Sequence, residues 1–242
     1  MIDIKVIASG SKGNCTAVTA GTVTILLDAG VSFEKIQQAL NFENPTACLI
    51  THEHGDHANK ATIAELLKRG TEVYMTAGTA NALNLETSHR LHLIKQHCQV
   101  YLLNDKDTKK SVWFLTYPVS HDAAEPVCFE IYHDYQSIFY LTDSGEIPYP
   151  TQNSTYLLIE ANHDEDDLLK ADIDERQRQR ILNNHLSIQK VINAVQKAVN
   201  NPYIVWLKEV HLLHISKRHG DGEQFRQAVQ AVVGDNIKVF AH

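Results

Sequence analysis

Hydrophobic and polar positions change rhythm along the chain, and the changes mark out its elements. In the first third, "IDIKVIA", "TAVTA" and "TVTILLDAG" read as strands, with Gly10, Gly13, Gly21 and Gly30 as punctuation. "SFEKIQQAL" then takes up a helical period with Ser32 as its cap. "ACLIT" is a short, nearly continuous apolar strand, and "KATIAELLKRG" is an amphipathic helix closed by Gly70. After residue 110 strands recur as "SVWFLTYPVS", "PVCFEIYH", "SIFYLTDSG" and "STYLLIEAN", each ending in a polar cluster. In "SIQKVINAVQKAVN", Ile188, Val191, Ile192, Val195 and Val199 keep a helical stripe. A strand "IVWLKEVHLLHIS", a helix "GEQFRQAVQAVVG" and a strand "IKVFA" follow. No Pro/Gly/Ser-rich linker, low-complexity run or repeat interrupts this order. The pattern predicts one α/β domain over residues 1–242, its strands more grouped than regular βαβ alternation gives.

Composition narrows the class. At 43% hydrophobic, 242 residues suffice for a buried core. No stretch approaches the ~20 apolar residues of a membrane span. "MIDIKVIASG" lacks a basic-then-apolar signal region, so the expected compartment is the cytoplasm, with no membrane partner. Cys15, Cys48, Cys98 and Cys128 form no CxxC pair and read as buried, reduced thiols. A net charge of -7 counts against a protein that coats nucleic acid through a basic surface. It does not exclude a nuclease, because bound cations add positive charge to an acidic site. Arg176, Arg178 and Arg180, or Lys217 and Arg218, can guide phosphates or can simply be solvated faces.

The 14 histidines are the compositional anomaly, and spacing separates ligands from bystanders. "LITHEHGDHANK" places His52, His54, Asp56 and His57 in the loop between a strand and a helix, where chemistry is commonly carried. An i, i+2 pair in extended backbone turns two imidazoles to one side, while Asp56 and His57 lie at the helix entrance. This is not the HExxH helix of zincins, since position 56 is aspartate. One loop cannot complete a metal site, so distant residues must contribute. His121, Asp143 and His214 stand at strand ends and are the candidates. His211 and His214, three apart on a strand, point to opposite faces, so one of them sees the site. His89, His92, His97, His133, His211, His219 and His242 carry no partner signature and read as surface residues. Residues 9–14, "SGSKGN", form a tight turn without Walker spacing, leaving a phosphate contact as the alternative. Asp164 reads equally as a cap for "EDDLLKAD" and as part of a signature with His163.

In order, HxHxDH, a strand-end His, a strand-end Asp and a late His resemble the metallo-β-lactamase fold: an α/β, αββα sandwich of two mixed β-sheets flanked by helices. "GSKGNCTAV", "LITHEHGDH", "SHDAAEPVCF", "YLTDSG", "LLIEANHD", "NHLS" and "LLHISK" resemble the successive signatures of its YycJ/WalJ (VicX) type, across residues 9–217. The resemblance implies two divalent metal ions, Zn2+ or Mn2+. His52, His54 and His121 would hold one, Asp56, His57 and His214 the other, and Asp143 would bridge them. Such a pair activates a shared hydroxide and clamps both oxygens of a phosphodiester. Glu160 and His185 resemble the Glu and His of ribonuclease Z-like phosphodiesterases, with His185 as proton donor to the leaving alkoxide. Asp56, Glu160 and His185 are thus the catalytic candidates. Asn184 departs from the resembled pattern, which has glycine before that His. The plain alternative is that Glu160 ends a strand and His185 caps the helix that follows.

The function this implies is a dinuclear metal-dependent phosphodiesterase, a nuclease with DNA ahead of RNA as substrate. The alternatives are a small-molecule metallohydrolase, acting on cyclic or nucleotide phosphodiesters or on a lactone or thioester, and a non-hydrolytic di-iron or regulatory protein. Glyoxalase- and lactonase-like members usually show HTPGH around the strand-end His, whereas this chain has "VSHDAAEP". The complete ligand set argues against a protein without turnover.

Overall fold

A computed structural model describes residues 2–105, 110–148, 154–200 and 206–242, without the side chains of residues 104, 105 and 110. Its strands fall into two mixed sheets, of six and seven strands. By its contacts the chain forms two compact units: Met1–Pro118 with Ala123–Asp134, and Val119–Asp122 with Tyr135–His242.

In the first unit, β1 (Ile2–Ala8), β2 (Cys15–Ala20), β3 (Val23–Leu27), β4 (Ala47–Leu49), β5 (Glu72–Thr76) and β6 (Leu91–Ile94) lie side by side in chain order. The first two pairings are antiparallel and the next three parallel. The parallel part needs crossovers, and helices α1 (Phe33–Ala39), α2 (Lys60–Lys68) and α3 (Ala77–Leu83) supply them. Each begins at an oxygen-bearing cap: Ser32, Asn59 and Thr76 accept from the backbone N–H three residues on. Ile36, Ile63 and Leu66 pack on Leu26, Cys48, Val73 and Met75 in one apolar cluster. β7 (Gln99–Asp105), β8 (Lys110–Pro118) and β9 (Val127–His133) form an antiparallel run of the second sheet.

The second unit adds β10 (Gln136–Leu141), β11 (Tyr156–Glu160), β12 (Glu209–Leu213) and β13 (Lys238–Ala241), in the order β13-β12-β11-β10 and parallel throughout. Its helices are α4 (Glu165–Lys170), α5 (Glu175–Asn184), α6 (Ile188–Val199) and α7 (Gly222–Val233). β11 is buried at all five positions, as expected for a parallel strand covered on both faces.

Several expectations need correction. "IVWLKEVHLLHIS" is a strand only over Glu209–Leu213, and residues 204 and 205 lie outside the described residues. His133 and His211 are buried, at 4% and 5% exposed, rather than on the surface. Cys98 is only partly covered, unlike Cys15, Cys48 and Cys128. In α6 the buried residues are Ile188, Val191, Val195 and Ala198, while Ile192 and Val199 are half-buried at the stripe's edge.

Candidate metal centre

Each unit gathers chemistry where strands end. In the first, β4 stops at Leu49 and the motif loop follows it, folded tightly enough that His57 and Ala58 N–H both donate to His54 O. His52 Nε2 and His54 Nδ1 stand 3.1 Å apart, and the His52 and His57 rings are 4.3 Å apart between centroids. His57 is wholly buried, and Asp56 Oδ2 lies 3.6 Å from its Nε2.

Asp28, just past β3, orients this loop. It is fully buried and its φ is +61°. Its carboxylate lies 2.8 Å from His57 Nδ1 and accepts from the Thr51 N–H and hydroxyl. Asn14 Nδ2 donates toward His57 Nε2 at 2.9 Å. Both contacts suit one tautomer, in which Nδ1–H donates to Asp28 and Nε2 keeps its lone pair. A carboxylate behind an imidazole is the usual orienting partner of a metal-ligating His. Gly30 permits the close fit: a Cβ there would lie 1.7 Å from Asp56 O. Asn14, which closes the glycine-rich turn, also donates its backbone N–H to Asp56 O at 2.7 Å and so braces the motif. Glu53 also acts in bracing, its Oε1 accepting from Ala124 N at 2.7 Å, three residues after His121.

In the second unit, His121, Asp143, Glu160, His185 and His214 come together at the carboxyl ends of β10, β11 and β12. Such ends are where ligands of open α/β sheets usually bind. Asp143 and His214 both adopt positive φ, +50° and +51°, immediately beyond their strands. His214 Nδ1 is 3.0 Å from Asp143 Oδ1 and 3.0 Å from Glu160 Oε1, and His121 Nε2 is 3.8 Å from Asp143 Oδ2. His211 faces the other way, toward Glu209 and His242. Glu160 ends β11, fully buried, and accepts from the N–H of Ser144 and Leu186. His185 Nδ1 lies 2.7 Å from Glu160 Oε1, so Asn184 in place of glycine does not draw the ring away. His185 is the C-cap of α5, whereas Ser187 caps α6, so the alternative in which His185 caps the following helix does not hold. Asp164 caps α4 through the N–H of Asp166 and Asp167. His163 is buried beside it, and burial pulls its pKa down to about 4.

Burial alone would push the Glu160 carboxyl up, but the charge and hydrogen bond of His185, with that of His214, hold it below the ordinary range. Burial likewise depresses His185, and the Glu160 carboxylate reverses this and raises it. The pair therefore favours its charge-separated form.

These residues fit a divalent cation. The spacing of His52 Nε2 and His54 Nδ1 is close to the roughly 3.3 Å between two ligands of one tetrahedral ion with metal–nitrogen bonds of ~2.0–2.1 Å. In the second unit Asp143, Glu160, His185 and His214 offer ligand atoms all within 4.8 Å of one another. Imidazole and carboxylate without thiolate suit borderline to hard divalent metals. Asp28 and Glu53 were not singled out by sequence. The only signal for Asp28 was a lone carboxylate ending "TILLD" before Ala-Gly, and Glu53 was read only as part of a motif it does not complete.

The chain belongs to the beta-lactamase superfamily, whose domain model matches residues 23–206. More particularly, it is 30% identical to Exodeoxyribonuclease WalJ of Streptococcus pneumoniae serotype 2, over 96% of this chain and 90% of that protein. It is 25% identical to Exodeoxyribonuclease YycJ of Bacillus anthracis, over 96% and 89%. The metallo-beta-lactamase fold protein YhfI of Bacillus subtilis superposes with a TM-score of 0.73 at 16% identity, covering 100% of this chain and 97% of that one. The resemblance read from the motifs and the fold it implied are both borne out.

Proposed function

We propose that this chain is a metal-dependent phosphodiesterase that cleaves nucleic acid, DNA in preference to RNA. His52, His54 and His121 would hold one divalent ion and Asp56, His57 and His214 a second, with Asp143 within reach of either. Zn2+ or Mn2+ suits this donor set. The whole chain, 1–242, acts as one domain; the family match supports this by drawing on both units. Cytoplasmic residence is supported by four free cysteines.

The observation that carries the reading is the Glu160–His185 pair beside Asp143 and His214. When bound, divalent ions lower the pKa of water and draw charge from phosphoryl oxygens. The chain's own part is positioning and proton transfer. Asp28 and Thr51 hold His57 and His52 in the tautomers that present ligand nitrogens. Glu160 holds His185 through Nδ1, which directs Nε2 outward as the proton donor that a sugar alkoxide needs in order to leave. The two relatives named as exodeoxyribonucleases support nucleic acid, and DNA in particular, as substrate.

The test is an assay of metal-reconstituted protein on end-labelled single- and double-stranded DNA, RNA, a small phosphodiester, a lactone and a thioester. Turnover of DNA that drops by about 10²-fold or more in Asp56→Ala and in His185→Ala is expected. Phosphodiester turnover that survives Asp56→Ala would sink the reading. A rate on lactone or thioester exceeding that on every phosphodiester would replace it.

A further inference from the structure

α5 is a helix without a buried side chain. Amphipathic helices are normally held by an apolar stripe, and α5 is held in other ways. Arg178 roots its first half, donating to the carbonyls of Leu168, Ala171 and Ile173. Its far end is tied to residues next to the metal candidates. A Cβ on Gly145, two residues past Asp143, would lie 1.9 Å from Asn183 O. Arg180 Nε donates to Asp122 Oδ2 at 3.0 Å, and Asp122 is the neighbour of His121. His185, closing the helix, bonds Glu160. A helix with no fully buried residue is thus built onto the rim of the candidate metal centre.

The three arginines of α5 separate by what they do. Arg178 is nearly covered and spent on backbone carbonyls, and Arg176 points into solvent. Arg180 is 68% exposed and bonded through Nε alone; among the described residues neither Nη finds a partner. An exposed ion pair adds little stability, so a folding role does not account for it. A guanidinium fixed at Nε by a carboxylate presents its two Nη groups as a preset fork, the geometry that takes two phosphate oxygens at once.

We infer that Arg180 is a substrate-binding residue, gripping the backbone phosphate next to the scissile one, with Asp122 holding the guanidinium in place. This rests on the phosphodiesterase reading and deepens it: the substrate is a strand with more than one phosphate. A small diester has only the phosphate being cut and cannot use the grip.

The experiment compares kcat/KM on an end-labelled oligonucleotide and on bis(p-nitrophenyl) phosphate, at several salt concentrations, in metal-reconstituted wild type, Arg180→Gln, Arg180→Lys and Arg176→Gln. Arg180→Gln is expected to lower the ratio of oligonucleotide to small-diester kcat/KM by about tenfold, the scale of one charged hydrogen bond. It should also reduce the log–log salt slope by about 0.7, the value for one single-strand phosphate contact. Arg180→Lys should restore the slope but only part of the ratio, and Arg176→Gln should leave the ratio within about twofold. An Arg180→Gln ratio within twofold of wild type, or an equal loss on both substrates, overturns the inference while the phosphodiesterase reading stands. Wild type inactive on both substrates overturns that reading and this inference with it.

Discussion

Asp28 shows how much one side chain can decide. Wholly buried, it sets the His57 tautomer and anchors Thr51, which in turn reaches His52 Nδ1. Asp28→Asn keeps the shape and removes the charge. Chelator-competition titration should show metal affinity lowered by about 10–100-fold with the fold intact, and affinity within twofold would contradict the role. Gly30 is a steric counterpart. Gly30→Ala forces a Cβ against Asp56 O, and urea unfolding should show a loss of about 2 kcal/mol or more, while Gly55→Ala, with open space around it, stays within about 0.5 kcal/mol. The ligand candidates were legible because imidazoles and carboxylates at strand ends are rare together. Asp28 was not, because a single Asp before Ala-Gly has the same local look whether it caps a turn or orients a ligand. Nor could spacing tell Arg178 from Arg180, since which of the two is spent on carbonyls depends on a chain turn between α4 and α5.

At the level of elements, helices with an apolar stripe were legible: α1 declares itself through its pattern and Ser32, and α2, α6 and α7 through their patterns, whereas the caps Asn59, Ser187 and Asp221 come from the structure. α3, α5, β5, β6 and β7 have no counterpart among the elements expected from the sequence. α5 has no fully buried residue and only Ile181 and Leu182 as half-buried apolar positions, too few for a readable stripe, and Arg178 adds bonds to carbonyls. Arg178→Ala should therefore fray α5, seen as faster amide exchange over 175–184 with α6 unchanged. Exchange that stays as slow as in wild type would contradict this anchoring. The end of β13 offers a pH test. Although His242 as a residue is exposed, partial covering of its ring beside His211 and Phe240, and then the charge of His211, bring it down to about 4, and His211 Nδ1 lies 3.1 Å from His242 Nε2. Because the folded value lies below the ordinary ~6.5, the unfolded chain takes the proton more readily. The contribution of this contact is whole above ~6.5 and fades as pH falls toward 4. Proton NMR of His242 should titrate near 4; a midpoint near 6.5 would contradict the contact.

For the whole molecule, a net charge of -7 opposes the approach of a polyanion, so the proposed nucleic-acid substrate would meet a repulsion that bound cations offset. Among the described residues no helix is long and apolar enough to cross a membrane. Three thiols are buried and Cys98 is partly covered, so native protein should release one fast-reacting thiol and hold back the others until unfolded; four equal rates would contradict the packing.

The most direct test of the central claim is the rate of DNA cleavage as Zn2+ or Mn2+ is added back to chelator-stripped protein at known concentration. The account predicts no cleavage by the stripped protein and a rate that saturates at two equivalents of metal per chain. Cleavage undiminished by stripping, or saturation at one equivalent, would contradict it.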